Sequence, residues 1–474
     1  MEKEIIVVGA GLTGLMISIY LAKRGYALSV YDYRPDPRKA YYKYGSGRSM
    51  SLDLSVRGLL ALSEIDLSAK VLAYGVPMKR RAIHLPDGEL IYIPYGKNEN
   101  DLINAVSRSQ VHKDLLEKAE SFGSIKVNFN QKFVDFDACS GVTIFRDQID
   151  NKDYKVEPFI LIGCDGVNSS VRACVEKTLQ TVFKKEVFGH QYKEVKIPLS
   201  LGHKLELQAM HMWPRENYML VAQPNYDGSF TCALLLPREG DNSFNAMERN
   251  GQKFISFFKE NFSDAYPLIP TLADEIINNP IGSLTTITEG QWNIGKKVLL
   301  LGDSVHAMVP FFGQGMNCCF EDCYLLNQYL NEFNDDWDLV IPLFEKERKV
   351  DANAIANMSL TNYPELTKSN WRNFVLQREI ESFLMNNFKD SYISYHNLVC
   401  FDNVPYRYAQ SIRSFQKNLI NEIIYKINSI KELNKDQVKE AVNSYEGTIK
   451  SIFPSTHIRG SEIFPASALI ADIQ

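Results

Sequence analysis

The chain has 474 residues, 45% hydrophobic and 23% charged, the balance of an ordinary globular protein long enough for about three domains. Its 52 Lys and Arg against 57 Asp and Glu leave a net charge of −5, which excludes the basic surface that nucleic-acid binding needs. The eight cysteines are scattered; Cys318, Cys319 and Cys323 come closest to a cluster, but no paired CxxC accompanies them, so thiols in a reducing cytoplasm are expected rather than a metal site.

In chain order, the first element is an apolar strand over residues 5–8 running into Gly9-Ala10-Gly11-Leu12-Thr13-Gly14, which opens a helix. In this GxGxxG spacing Gly9 permits a tight turn and Gly11 lets the backbone approach a pyrophosphate. Gly14 lets the helix pack on the sheet with its N-terminal amides toward the phosphates. A second strand over residues 27–32 ends in Asp32, 18 residues beyond Gly14, where an acidic residue accepts hydrogen bonds from an adenosine ribose. Residues 5–22 are nearly all apolar, yet their glycines fall on the nucleotide pattern and Glu2-Lys3-Glu4 is mixed in sign. Neither a signal peptide nor a membrane span is expected there, and the apolar stretch at 464–470 is too short to span a bilayer.

A polar loop follows, then a predicted helix from 55 to about 67 and a hairpin over 83–94 with Asp87-Gly88 at its turn. Another helix is predicted near 111–120, and strands around 125–162 end in Gly163-Cys164-Asp165-Gly166. From about 180 to 290 the pattern alternates with period two, as in 204–213, 218–223 and 229–236, which predicts an inserted antiparallel sheet. A strand over 297–301 then enters Gly302-Asp303, a glycine-rich turn Gly313-Gln314-Gly315 and a helix, and the chain beyond about 371 is predicted helical over 410–430 and 431–450. Two dinucleotide-holding segments about 290 residues apart point to FAD. The expected fold is α/β: a Rossmann-like FAD-binding domain over 1–175 and 291–370, an inserted antiparallel-sheet substrate domain over 176–290 to which 70–100 contributes, and a C-terminal helical region over 371–474.

These residues resemble kynurenine 3-monooxygenase, a family within the class A flavin hydroxylases. The class is carried by the GxGxxG, the Asp165-Gly166 segment ending at Arg172, and Gly302-Asp303. The narrower likeness rests on His306-Ala307-Met308-Val309-Pro310-Phe311-Phe312-Gly313-Gln314-Gly315-Met316-Asn317 and Phe320-Glu321-Asp322-Cys323. Arg48-Ser49, Arg57-Gly58, Arg81, Pro94-Tyr95-Gly96, Ser107-Arg108, Trp213-Pro214-Arg215 and Asn362-Tyr363 with Glu365 match as well. The likeness covers roughly residues 1–410 and leaves the last 60 or so unplaced.

The resemblance implies hydroxylation of L-kynurenine to 3-hydroxykynurenine in tryptophan catabolism. NADPH reduces FAD, oxygen adds at flavin C4a as a hydroperoxide, and the electron-rich amino-bearing ring attacks it. The cofactor carries this chemistry, so no acid–base catalyst, nucleophile or metal is expected, His306 is read as structural, and NADPH has no GxGxxG of its own. On the cofactor side the likeness nominates Gly9, Gly11, Leu12, Thr13, Gly14, Asp32, Tyr33, Arg34, Arg108, Asp165, Gly302, Asp303, Gly315, Met316 and Asn317. Asp303 would accept from the ribitol, and the helix after Gly315 would aim its amides at the flavin pyrimidine edge, with Asn317 adding its own. Arg108 and Arg34 would face the pyrophosphate or adenosine. On the substrate side it nominates Arg81, Tyr95 and Asn362 as the grip on a carboxylate, a planar cationic fork joined by a phenol and an amide. Glu365, Tyr406, Phe311, Phe312 and Gln314 are further pocket candidates.

Four positions depart from the family pattern: Ser51 stands where asparagine is usual, Asp53 where alanine is usual, Leu235 where an aromatic is frequent and Leu366 where methionine is frequent. A carboxylate at Asp53 would repel an acidic substrate or pair with an ammonium in the pocket, or else point to solvent or cap the following helix. The same chemistry on a modified kynurenine or another aminoaryl acid therefore stays open. A flavin reductase or oxidase acting on an apolar molecule is a further reading, opposed by the carboxylate grip, and a flavin-binding scaffold without turnover is another. The expected partners are the small-molecule substrate, NADPH and O2, in the cytoplasm, with no nucleic acid and no transmembrane segment; a homodimer is left open.

Overall fold

The computed structural model describes residues 4–39, 51–96, 100–247, 251–367, 371–389, 391–427 and 433–452. The Arg48-Ser49 segment and the apolar stretch at 464–470 lie outside them.

The strands that read as continuous apolar runs pair in parallel. Glu4–Val8 sits at the centre, flanked by Ala27–Asp32 and then Ile125–Phe129 on one side, and by Ile160–Gly163 and then Val298–Leu300 on the other. Asn293–Ile294 closes that edge antiparallel. Ile5, Val7, Ile160, Leu161 and Leu299 are fully enclosed, the signature of a sheet covered on both faces. The helix Leu12–Lys23 covers one face and packs against the helix Gly315–Glu332. Segments nearly 300 residues apart in sequence thus meet at one end of one sheet.

A second sheet of seven strands runs Gly282–Glu289, Phe183–Ile197, Phe230–Pro237, Met219–Pro224, Ala209–Pro214, Arg80–His84, Leu90–Pro94. The hairpin expected around Asp87-Gly88 forms, with Gly88 in the left-handed region at φ 89°. Its strand Arg80–His84 joins the sheet in parallel with Ala209–Pro214, which sets Arg81 beside Met210. The expected strand over 204–213 begins only at Ala209, because Leu199–Gly202 turns helical where Gly202 packs directly on the Gly228 carbonyl. The inserted segment is not all sheet either. Helices Gly251–Asn261 and Leu272–Asn278 bury Phe254, Phe257, Phe258, Leu272 and Ile276 against it, an i, i+3, i+4 spacing that was present in the sequence. The helix expected over 55–67 is shorter, Val56–Ser63, since Asp66 takes a left-handed turn before Ser68–Leu72.

From Trp337 onward the described chain is helical: Trp337–Thr367, Trp371–Asn387, Tyr395–Cys400, Tyr406–Lys426 and Lys435–Ile452. These helices share one hydrophobic core with Tyr95, Met210, Met212, Phe311 and Phe312. The C-terminal region is therefore packed behind these residues. Among the described residues no helix is long and apolar enough to cross a membrane.

Candidate functional site

At the carboxyl ends of the parallel strands lies a cavity of about 750 Å³, where open α/β sheets place ligands. Gly9 leaves its strand at φ 105° with its amide bonded to the Tyr31 carbonyl, 2.7 Å away. Gly14 packs so tightly beneath it that a side chain there would collide with the Gly9 carbonyl oxygen. At Gly11, the N-cap of Leu12–Lys23, a Cβ would meet nothing within 4 Å, so the bare backbone and the helix amides front the cavity. Gly315 opens the helix Gly315–Glu332 on the same cavity and is equally bare. Two helix N-termini thus converge on one space, each with a surplus of unpaired N–H groups and positive potential. That is a cradle for a molecule negative at two points, and it fits FAD.

Leu12, Thr13, Asp32, Tyr33, Arg34, Arg108, Asp165, Asp303 and Met316 also line this cavity. Asp32 accepts from the Ala10 amide at 2.8 Å and is bridged by Arg34, Nη2 to Oδ2 at 2.6 Å, so the arginine is tied to the carboxylate at the rim. Gly302 takes φ 65° because a Cβ there would press on Thr13, 2.7 Å from its hydroxyl, and this turn sets Asp303 on the wall. Asp165 and Asn317 both have partners within the protein. Asp165 spends its carboxylate on the helix Ser170–Leu179, accepting from the Ser170 and Val171 amides at 2.6 and 3.2 Å and from the Ser169 hydroxyl. Asn317 is fully buried and points inward: its amide donates to the Asp53 and Gly313 carbonyls at 2.7 and 3.0 Å, and its oxygen accepts from the Ser55 amide at 2.9 Å. It clamps the turn in front of the helix and leaves no donor for a ligand.

Behind the Gly302-Asp303 turn a single buried carboxylate ties three elements together. Asp322 accepts from the Gly302 amide at 3.0 Å, His306 Nε2 at 2.6 Å and Arg348 Nε at 2.7 Å. Arg348 also pairs with Glu321 at 2.8 Å, and Glu321 pairs with Arg57, whose guanidinium donates to the Val399, Leu398 and Val404 carbonyls. Burial alone would push His306 toward its neutral form, but Asp322 and Cys318 outweigh it and hold its pKa well above the usual range. Burial would likewise raise Asp322, but His306 and Arg348 outweigh it and hold it low. Ligand atoms of His306, Cys318 and Asp322 lie within 4.8 Å of one another. With Arg348 and His306 already neutralising Asp322, the group is an ion-pair hub rather than a cation site.

A second cavity of about 100 Å³ opens beside the first. Asp53, Gln223, Pro310 and Gly313 line both. Arg81, Tyr95, Phe311, Phe312, Leu235 and Leu366 form its wall with Met210, Met212 and Met219. The Arg81 guanidinium lies 4.7 Å from the Tyr95 ring centre and donates to His396 Nε2 at 2.9 Å. A guanidinium can only donate, so that nitrogen is unprotonated. Burial, with Arg81 and Arg378 nearby, holds the His396 pKa well below its usual range, in keeping with a neutral ring. The Tyr95 phenol donates to the Met210 sulfur at 3.6 Å, and burial keeps it protonated despite Arg81.

Not every nominated residue reaches this wall. Asn362 donates to the Phe311 carbonyl at 2.7 Å and so fixes the aromatic turn from behind. Glu365 faces the C-terminal helices, paired with Arg413 at 3.0 Å and Lys417 at 3.9 Å. Tyr406 is fully buried, its hydroxyl donating to Gln314 Oε1 at 3.0 Å and its ring 3.9 Å from the Arg57 guanidinium. Gln314 is buried with it. Neither residue lines either cavity.

Residues 2–337 match the family described as FAD binding domain. The chain is 40% identical over 453 residues to kynurenine 3-monooxygenase of Legionella pneumophila (strain Corby), covering 95% of this chain and 100% of that one. It is 38% identical over 446 residues to the protein of the same name from Myxococcus xanthus (strain DK1622), covering 94% and 95%. The chain belongs to the kynurenine 3-monooxygenase family. It is a flavin-dependent aromatic monooxygenase that uses FAD. In fold the chain resembles 2-methyl-3-hydroxypyridine-5-carboxylic acid oxygenase, with a TM-score of 0.62 and 20% identity over 79% of this chain and 95% of that one. It also resembles PqsL of P. aeruginosa, solved with 2-aminobenzoylacetate, with a TM-score of 0.62 and 16% identity over 78% and 97%.

Within this kynurenine 3-monooxygenase family site, sequence reasoning missed His396, Gln223 and the methionine wall. Met210 and Met212 alternate on one strand with Met219 on its neighbour, a period-two signal that was readable. His396 carried no such signal.

Proposed function

We propose that the protein hydroxylates the ring of L-kynurenine to 3-hydroxykynurenine, with FAD as its bound cofactor and NADPH and dioxygen as co-substrates. One observation supports this reading above the others: a guanidinium, Arg81, stands in the wall of a largely apolar cavity that opens directly into the nucleotide cavity. An apolar substrate would make no use of that guanidinium, whereas a carboxylate offers it a charge-assisted hydrogen bond. FAD, when bound, supplies the oxygen-transfer chemistry. The chain's own side chains do the holding. Arg81, backed by His396 and Tyr95, receives the carboxylate, and the Tyr95 phenol, which meets the weak Met210 sulfur acceptor, adds a second donor. Asn362 acts through Phe311, whose backbone it fixes. The methionines and Phe311 and Phe312 line the space with apolar surface that keeps water from the reacting centre.

The purified protein is expected to be yellow, to contain FAD, and to consume NADPH faster with L-kynurenine while forming one hydroxylated product per NADPH. Stimulated oxidation that yields only peroxide would make L-kynurenine an effector and overturn the substrate. Arg81→Ala is expected to raise KM about ten- to a hundredfold, the worth of one or two hydrogen bonds to a charged group, with flavin content unchanged. Loss of flavin in that variant would move Arg81 out of the substrate site.

A further inference from the structure

The carboxylate of Asp53 has no counterpart in the grip just described, yet it occupies the border between the two cavities and lines both. Its strand, Ser51–Leu54, is fixed by pairing with Ile103–Ser107, which sets Asp53 opposite Ala105. The Asn317 amide holds the Asp53 carbonyl from behind. The side chain does not cap the next helix: Ser55 is that helix's N-cap, and the carboxylate turns instead to Gln223, whose Nε2 donates to Oδ1 at 2.7 Å. The other oxygen, Oδ2, packs against Gly313, where only the missing Cβ leaves room for it. Among the described residues Gln223 is the hydrogen-bond donor that Asp53 is seen to have, which leaves acceptor capacity on a carboxylate that lines both cavities.

On the reading that the pocket holds an aminoaryl acid by its carboxylate at Arg81, we propose that the Asp53 carboxylate accepts a hydrogen bond from the ring amino group at the flavin-facing end, so that this pocket selects acids whose ring carries a hydrogen-bond donor. The α-ammonium is the less suited partner because it sits one carbon from the carboxylate that Arg81 holds, whereas Asp53 lies at the junction with the nucleotide cavity. The carbon that receives oxygen must lie at that junction, and the amino group is on the adjacent ring carbon. The charged groups facing Asp53 are Arg81, with Tyr95 and Cys400 as neighbouring titratable groups. Burial, opposed by Arg81 and Gln223, pushes the Asp53 pKa up to about 6, so it is an ionised acceptor at neutral pH and loses that character below.

The test compares L-kynurenine with two analogues, one lacking the ring amino group and one lacking the α-amino group. Each is titrated into FAD-loaded protein, and Kd is read from the change in flavin absorbance, without turnover. Wild type is expected to prefer L-kynurenine over the ring-deaminated analogue by roughly tenfold or more, the effect of one hydrogen bond to a charged acceptor. Asp53→Ala is expected to bring that ratio to within about twofold and to leave the ratio against the α-deaminated analogue alone. Asp53→Asn, which keeps an acceptor oxygen, should retain part of the preference and make it insensitive to pH. In wild type the preference should shrink as pH falls from about 7.5 to about 5.5, a readout that does not depend on any variant folding. An Asp53→Ala protein that discriminates as wild type does, one that loses discrimination only at the α-amino group, or one that folds but retains no flavin would overturn the proposal. If wild type fails to bind or hydroxylate L-kynurenine, the functional reading itself falls and this inference with it.

Discussion

Replacing Asp322 by alanine is expected to lower the unfolding free energy by about 3–5 kcal/mol, the usual cost of leaving a buried charge without its partner. Asp322 is fully enclosed and accepts from the Gly302 amide, His306 and Arg348 at 3.0, 2.6 and 2.7 Å. Its removal leaves His306 without its carboxylate, leaves Arg348 to Glu321 alone, and leaves the Gly302 amide unpaired in the interior. Flavin retention should fall with stability, because the Gly302 amide it holds belongs to the turn that carries Asp303. The pH dependence has a definite sign. Asp322 is held below its ordinary value, so its contribution is present above the unfolded pKa near 4 and fades as pH falls below it. His306 is held well above its ordinary value, so its contribution is complete below about pH 6.5 and is lost as pH rises toward its folded pKa. The deficit of Asp322→Ala against wild type should therefore be largest between about pH 4 and about pH 6.5. Urea unfolding across pH measures this. A deficit that grows steadily into alkaline pH would show that the His306–Asp322 pair is not the stabilising unit.

Reading the sequence succeeded where backbone geometry leaves one residue type a choice. Gly9, Gly14 and Gly302 are required by a positive φ or by a neighbour in the place of a Cβ, so their spacing announced the turns they make. Asp87-Gly88 announced its hairpin for the same reason. What stayed hidden depends on partners far along the chain. His396 backs Arg81 across 315 residues, and a lone histidine on a short helix carries no periodicity to betray that. Asn317 was read as facing a ligand because its motif does; only the folded neighbours show its polar atoms engaged with Gly313, Asp53 and the Ser55 amide. Glu365 belongs to the same class, since its cations, Arg413 and Lys417, come from a helix whose packing direction no local pattern sets. The long helix Trp337–Thr367 is buried on several sides, from Trp337 through Arg348 to Leu366, so it shows no clean amphipathic stripe.

Two glycines of the first motif separate packing from ligand contact, and their alanine variants are expected to fail differently. In Gly14→Ala the methyl collides with the Gly9 carbonyl oxygen and touches the Cys164 side chain at 3.4 Å. Gly9 has little room to yield: its amide is bonded to Tyr31 at 2.7 Å, and its own Cβ position lies 2.5 Å from the Cys164 carbonyl oxygen. The helix Leu12–Lys23 must therefore shift off the sheet, an overpacking cost of about 1–3 kcal/mol, and its N-terminal amides shift with it. Gly14→Ala should lose stability as apoprotein and bind FAD at least about tenfold more weakly, since 1.4 kcal/mol of misplaced hydrogen bonding suffices for that factor. In Gly11→Ala the methyl meets no protein atom within 4 Å and projects into the cavity instead. Apoprotein stability should then hold to within about 0.5 kcal/mol, as for a substitution outside packed structure, while FAD affinity falls comparably. Denaturant unfolding of the apoproteins beside flavin titration distinguishes the two. A Gly11→Ala protein that binds FAD as wild type does would mean that the pyrophosphate passes elsewhere, because a backbone in contact with that group has no space for an added carbon.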